Sequence, residues 1–290
     1  VPELPDLAVV TDAFHAALAG RSIVRAEAPG ALSLRGTPSE LAALAGQRLT
    51  AVRRRGKFVS FELDRDRVVI NAMLTGRFQL AGPGAKLPAN TAVILAFGAR
   101  DHGPRDAARW TRGAAWLPAD AASIEVRYRD PSRMGKVYLI PAGVDRPIPG
   151  LETDQGPDAD DPDLTLDRWR ERIRRHPGEL KSLLRNQAFV AGIGNAYSDE
   201  ILHAARLSPF RKRASLAPEE VDALYAATRE RLANAIDVLR QRVPPTFETQ
   251  VRDFLGVHLR EGQPCPRCGT RISQVSSRGE ATSWCRGCQR

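Results

Sequence analysis

Residues 179–202 read ELKSLLRNQAFVAGIGNAYSDEIL, and the parsing of the whole chain turns on them. The segments 179–187 and 195–206 each carry a helical pattern. Between them, Gly192-Ile193-Gly194-Asn195 supplies two glycines that let backbone N–H groups come close to an anion, at the partial positive charge of the next helix N-terminus. Asn195 can cap that helix or donate to a phosphate oxygen. Taken alone, Gly-x-Gly-Asn fits a plain packing junction between two helices equally well.

Helical patterns also cover 165–176 and 217–240; the second opens with Glu219 and Glu220 behind Pro218 and is halted by Val243-Pro244-Pro245. Upstream, Asp154 to Asp163 is too polar to enter a core and marks a boundary. Before that boundary the texture changes. Residues 5–19 predict a helix in which Leu7, Val10, Phe14 and Leu18 recur at helical spacing; Pro5 sits where a missing N–H is harmless, and Gly20 ends it. From Ser22 to Pro141, runs with strand character occupy 22–28, 47–55, 57–63, 67–74, 91–97, 123–130 and 136–141. Bounded by Gly, Pro and Asp, they point to a β-sandwich or barrel. The connection 99–121 is expected to be a surface insertion. The expected fold class is therefore α+β: an N-terminal helix with a β-sandwich over 1–150, a linker at 151–164, a helical domain over 165–245, and an irregular, basic, cysteine-bearing tail over 246–290.

The 290-residue chain has ordinary globular composition, 42% hydrophobic and 27% charged, but carries 43 Lys+Arg against 34 Asp+Glu. A net charge of +9 suggests a polyanionic partner, nucleic acid or an anionic membrane surface. There is no cationic-then-apolar opening and no apolar run of about 18 residues, so the expected location is cytoplasmic, with thiols reduced. Only 5 of the 43 basic residues are lysines, which gives weight to a lysine in a conspicuous motif, because an ammonium can lose its proton and a guanidinium practically cannot.

All four cysteines fall in the last 26 residues, as Cys265-Pro-Arg-Cys268 and Cys285-Arg-Gly-Cys288. Two thiolates on each of two tight turns make a closed tetrahedral site for one structural zinc ion. A redox dithiol would need a thioredoxin-like βαβ setting, which is absent. From Val251 onward, seven arginines stand against three acids, so this ribbon is expected to face a polyanion.

The 179–202 stretch resembles the helix–two-turn–helix of the formamidopyrimidine-DNA glycosylase/endonuclease VIII family, and the likeness continues in order along the chain. Pro2-Glu3-Leu4-Pro5-Asp6 is similar to the family's opening, and Arg54-Arg55-Gly56-Lys57-Phe58 to its lysine-bearing turn. Met73-Leu74-Thr75-Gly76 and Asp130-Pro131-Ser132-Arg133-Met134-Gly135 resemble its two DNA-probing loops, Gly156-Pro157-Asp158 its interdomain segment, and the final Cys-Gln the end of its finger. The resemblance implies a monomeric DNA glycosylase/AP lyase acting on duplex DNA with oxidised bases or abasic sites. Pro2 would be the nucleophile, Glu3 the general acid/base and Lys57 a phosphate ligand beside the lesion. It implies further that Lys181 and Asn195, with Gly194, grip phosphate, and that Leu74 with Met134 or Arg133 fills the space left by the extruded base. A terminal proline suits the chemistry: as a secondary amine with a pKa nearer about 8 than lysine's, about 10, it is more often unprotonated and gives a charged imine.

The departures are specific. Val1 ahead of Pro2 would make its nitrogen a tertiary amide, so the expectation is a GUG start whose initiator residue is trimmed. Glu280 stands where the family places an arginine on the lesion phosphate; either Arg278 substitutes or that contact is lost. Ser132 and Met134 replace the usual arginine and phenylalanine, Asn71 a common histidine, and 241–256 is shorter than the family's purine-covering loop. Two other readings remain open, a catalytically inert binder of damaged DNA and a general zinc-ribbon DNA-binding module.

Overall fold

The computed structural model describes residues 2–82, 84–100, 122–243, 247, 249–277 and 279–290. Val1, Arg278 and most of the expected 99–121 insertion lie outside them. The chain divides into two compact units, Val1–Pro149 with Ile236–Val251, and Gly150–Ala235 with Arg252–Arg290.

The first unit is helix plus two sheets. It runs α1 (Leu4–Leu18), β1 (Arg21–Glu27), β2 (Leu34–Arg35), α2 (Pro38–Ala42), β3 (Leu49–Arg55), β4 (Phe58–Leu63), β5 (Arg67–Asn71), β6 (Arg77–Ala81), β7 (Thr91–Arg100), β8 (Ile124–Arg129) and β9 (Lys136–Ile140). One sheet has the order β1-β7-β8-β6 and the other β2-β9-β5-β4-β3. Leu4, Leu7, Phe14 and Leu18 are buried along α1. The Phe14 ring meets Phe61 of β4 at 6.1 Å and Phe78 of β6 at 5.8 Å, one from each sheet. Each such side chain, fully buried, stabilises the fold by about 1.5–3 kcal/mol. This packing fixes α1, and with it Pro2 and Glu3 just ahead of it, in the sandwich.

Three elements of this unit, β2, β6 and α2, escaped the sequence reading. β6 was hidden by the polar Gln79, which is buried and accepts from Arg127 Nη1 at 3.3 Å. The short α2 carries a signal after all: Thr37 and Glu40 cap its N-terminus reciprocally, with Pro38 at the first position. The strand expected through Leu74 ends at Asn71, because Met73 takes a left-handed φ of 46°.

Register matters most for function. Phe58 pairs with Asn71, and Asn71 with Lys136, so the start of β4, the end of β5 and the start of β9 lie in one cross-strand row. The Gly56-Lys57 turn, loop 72–76 and loop 130–135 therefore leave the five-stranded sheet at the same end. Loops 72–76 and 130–135 both cross to the other sheet, where Arg77 of β6 pairs with Arg129 of β8.

The second unit contains α3 (Leu166–Arg175), α4 (Leu180–Arg185), α5 (Asn195–Ala204) and the larger part of α6 (Pro218–Arg242), followed by β10 (Ile272–Ser277) and β11 (Glu280–Cys285). Trp169 is fully buried, its ring 4.9 Å from Phe189 and 5.7 Å from Tyr225. The α4–α5 connection is organised by Gln187: Nε2 donates to the Arg185 and Ile193 carbonyls, and Oε1 accepts from Gly192 N. The tail expected to be irregular instead forms an antiparallel hairpin, with Ile272 opposite Cys285 and Ser277 opposite Glu280. Its serines and Gln274 supply no apolar alternation, which is why periodicity missed it. Among the described residues, no helix is long and apolar enough to cross a membrane.

Candidate functional site

At the start of the first unit, Pro2 and Glu3 are both buried, Glu3 to 2% exposure. Pro2 borders a cavity of about 30 Å³ shared with Asp6, Gly76, Arg77 and Gln250, enough for a water molecule. A hydrogen-bond chain fastens this corner. Asp6 Oδ2 accepts from Glu3 N at 2.8 Å and from Gln250 Nε2 at 3.3 Å, and Arg77 Nη2 donates to Gln250 Oε1 at 3.2 Å. Asp6 sits at capping-box spacing from Glu3, a local signal. Arg77 and Gln250 had none, since they meet only in the fold.

Lys57 stands on the two-residue β3–β4 turn, partly exposed, behind Gly56 with φ 55°. Glycine first in such a turn matches the twist of the flanking strands. The tips of the two neighbouring loops are open: Leu74 is 46% and Met134 43% exposed, and Arg133 is exposed with φ 56°. Their bases are latched together by Asp130. Its carboxylate accepts from Thr75 Oγ1 at 2.6 Å, Ser132 Oγ at 2.9 Å and Gly135 N at 2.6 Å, while Ser132 N donates to Thr75 Oγ1. Burial works to raise the Asp130 pKa, but these hydrogen bonds prevail and hold it below the ordinary carboxylate value. Ser132, where an arginine was expected, thus joins loop to loop.

Gly135 is sterically required here. A Cβ would lie 1.8 Å from the Tyr128 hydroxyl oxygen and 2.9 Å from Asp130 Oδ2. Gly135→Ala is expected to destabilise the protein by about 1–3 kcal/mol through overpacking, read as a lower urea midpoint. An unshifted midpoint would show that Tyr128 yields freely.

In the second unit, Gly194 precedes Asn195, the first residue of α5. Asn195 Nδ2 donates to the Ala281 carbonyl of β11 at 2.9 Å, and its Oδ1 is buried without a partner among the described residues. Lys181, expected to grip phosphate, is 6% exposed. Its ammonium donates to Asp199 Oδ1 at 2.7 Å and to the same Ala281 carbonyl at 2.8 Å. Burial pushes the Lys181 pKa down, opposed by Asp199. In this structure the Lys181 charge is engaged inside the unit, where Asp199 one helix later faces it. Asp199 also accepts from His258 Nδ1 at 2.8 Å, and Glu200 from the backbone N–H groups of Gly256, Val257 and His258. Consecutive acids on α5 thereby clamp the finger.

The four cysteines converge as the sequence required, with all Sγ atoms within 4.8 Å of one another. Thiolates about 2.3 Å from a tetrahedral zinc stand about 3.8 Å apart. Here Cys265–Cys288, Cys268–Cys285 and Cys268–Cys288 sulfurs are 3.8, 3.5 and 3.2 Å apart. Burial, then the neighbouring sulfurs, push the Cys288 thiol up to about 12, while hydrogen bonds with Thr270 and then the neighbouring sulfurs pull Cys268 down to about 6; a bound cation would let all four ionise together. The donor set fits one structural zinc, with all four positions filled by protein. His203 Nε2 lies 3.2 Å from Cys265 Sγ, a contact no sequence spacing announced.

Comparison with known proteins covers both units. Family models described as the formamidopyrimidine-DNA glycosylase N-terminal domain, its H2TH domain, and the zinc finger found in FPG and IleRS match residues 1–137, 155–243 and 262–290. The formamidopyrimidine-DNA glycosylase of Symbiobacterium thermophilum is 31% identical over 300 aligned positions, covering 100% of this chain and 89% of the relative. That of Geobacillus kaustophilus is 30% identical, with all of both chains covered. Among solved structures, the MutM (Fpg) protein of Thermus thermophilus superposes with TM-score 0.79 at 28% identity over 99% of this chain and 98% of its own. Lactococcus lactis Fpg, in complex with abasic-site DNA, does so with TM-score 0.81 at 25% identity over 99% of each. With an α+β amino-terminal unit, a paired-helix turn and a four-cysteine finger matched in order, the chain belongs to the formamidopyrimidine-DNA glycosylase/endonuclease VIII family.

Proposed function

We propose that the protein is a bifunctional DNA glycosylase/AP lyase that excises oxidised bases from duplex DNA through a Schiff base on Pro2. One observation carries this reading: buried Pro2, with buried Glu3 next to it in the chain, borders a cavity walled by Gly76 and Arg77, the exit of loop 72–76, and that loop shares its end of the sheet with the Lys57 turn and loop 130–135. Damaged-base chemistry needs these parts close together: a nucleophile, an acid/base, a phosphate ligand, and side chains to fill the gap in the stack.

In the proposed sequence, the Pro2 nitrogen attacks deoxyribose C1′ as the bond to the base breaks. Glu3 protonates the opening sugar oxygen, and the resulting iminium draws electrons from C2′ as its proton is lost and the 3′ phosphate departs. Lys57 holds the phosphate beside the lesion. Leu74, with Met134 or Arg133, occupies the vacated stack; extrusion itself costs a few kcal/mol. Gly194, Asn195 and the α5 N-terminus receive backbone phosphate, and Lys181 contributes by fixing the hairpin carbonyl that Asn195 also holds. The protein works as a monomer in the cytoplasm.

Borohydride trapping on duplexes bearing 8-oxoguanine, a ring-opened purine, an oxidised pyrimidine or an abasic site is the test, using protein with a sequenced amino terminus. A covalent adduct is expected at least on the abasic site. The second reading, an inert damaged-DNA binder, is favoured by Glu280 and Ser132 at positions expected to be arginine. It predicts binding with neither adduct nor strand cleavage.

A further inference from the structure

Arg185 is the last residue of α4 and Glu280 the first of β11. Arg185 Nη2 donates to Glu280 Oε1 at 2.5 Å, with the side chains 32% and 49% exposed. The pair borders the turn assigned above to phosphate. Ala281, next to Glu280, offers the carbonyl that Lys181 and Asn195 share, and Lys181 lies one helical turn before Arg185 on α4.

Three physical facts bear on this pair. A carboxylate at the rim of a polyanion-binding surface repels the ligand unless a cation answers it. A guanidinium offers five N–H donors in a flat fork that matches phosphate oxygens, and the bond to Glu280 uses one side of it. Ion pairs this exposed hold weakly, because water and salt screen both charges, so the carboxylate is readily exchanged for another anion. Lys181, by contrast, is locked onto buried Asp199 and has no such freedom.

We propose that Arg185 is a phosphodiester-binding residue of this surface and that Glu280 is its internal stand-in for phosphate, holding the guanidinium until a seated duplex displaces the carboxylate. The exchange keeps Arg185 from adding to loose association with any passing polyanion. The proposal rests on the DNA-binding role given under the proposed function.

The test is the salt dependence of binding by the full chain to a duplex carrying a reduced, uncleavable abasic analogue. Arg185→Gln is expected to weaken binding and to flatten the log–log salt slope by about 0.9, one phosphate contact. Glu280→Gln is expected to bind severalfold more tightly than wild type. A misfolded fraction lowers apparent affinity without changing the slope, and no misfolding produces a gain. An unaltered slope in Arg185→Gln, or no gain in Glu280→Gln, overturns the exchange while leaving DNA binding intact. Wild-type protein that does not bind the duplex overturns the DNA-binding role itself, and the exchange with it.

Discussion

Glu3→Gln is expected to slow processing of an abasic-site or oxidised-base duplex by about 10²–10⁴-fold, the usual contribution of a positioned general acid/base. The substitution keeps the shape of a side chain that is 2% exposed, and it leaves the Glu3 backbone N–H on Asp6 untouched, so the start of α1 should stay in place. The loss should therefore fall on kcat, with duplex affinity near wild type. A matched control comes from the amine. Protein that retains a residue ahead of Pro2 should give no borohydride adduct, because an amide nitrogen cannot form an iminium, whereas protein beginning at Pro2 should. Full activity in an amino-terminally blocked preparation would remove Pro2 from the mechanism; a Glu3→Gln enzyme as fast as wild type would remove Glu3.

Loss of the metal is expected to be nearly as damaging. The apolar cluster beneath the finger consists of Val257, Cys265, Ile272 and Cys285, with Cys288 against it, so most of its members are the cysteines themselves. Two aliphatic side chains cannot order a hairpin, while a structural zinc site contributes about 10–16 kcal/mol of apparent binding energy at neutral pH. Chelation, or Cys285→Ser, should abolish amide-exchange protection across β10 and β11. It should also release the Ala281 carbonyl from Lys181 and Asn195, lowering affinity for duplex DNA. An apo-protein whose hairpin stays protected would show that the clamp of Asp199 and Glu200 on 256–258 suffices without metal.

Features written in short spacings were legible in the sequence. Two Cys-x-x-Cys turns, the Gly-x-Gly-Asn junction and the helical periodicities depend on neighbours within a few residues, and the structure places them where those spacings require. What escaped reading depends on partners distant in the chain. Gln79 concealed β6 because its hydrogen-bond partner, Arg127, lies on another strand. The ion pair of Lys181 escaped because nothing near it in sequence says that Asp199 faces it from α5. Arg77 and Gln250 meet across 173 residues beside Pro2, and no local pattern could have joined them. Glu280 looked like a missing contact until Arg185 was found opposite it.

The latch of Thr75, Ser132 and Gly135 on Asp130 bears on how a duplex would be probed. Bonds that couple two tips before any ligand arrives move the entropy of ordering them from the docking step to the folding step. Leu74 and Met134 would then enter the helix as one preorganised wedge, and the energy of contact with the gap would go into opening base pairs rather than into stilling two wandering segments.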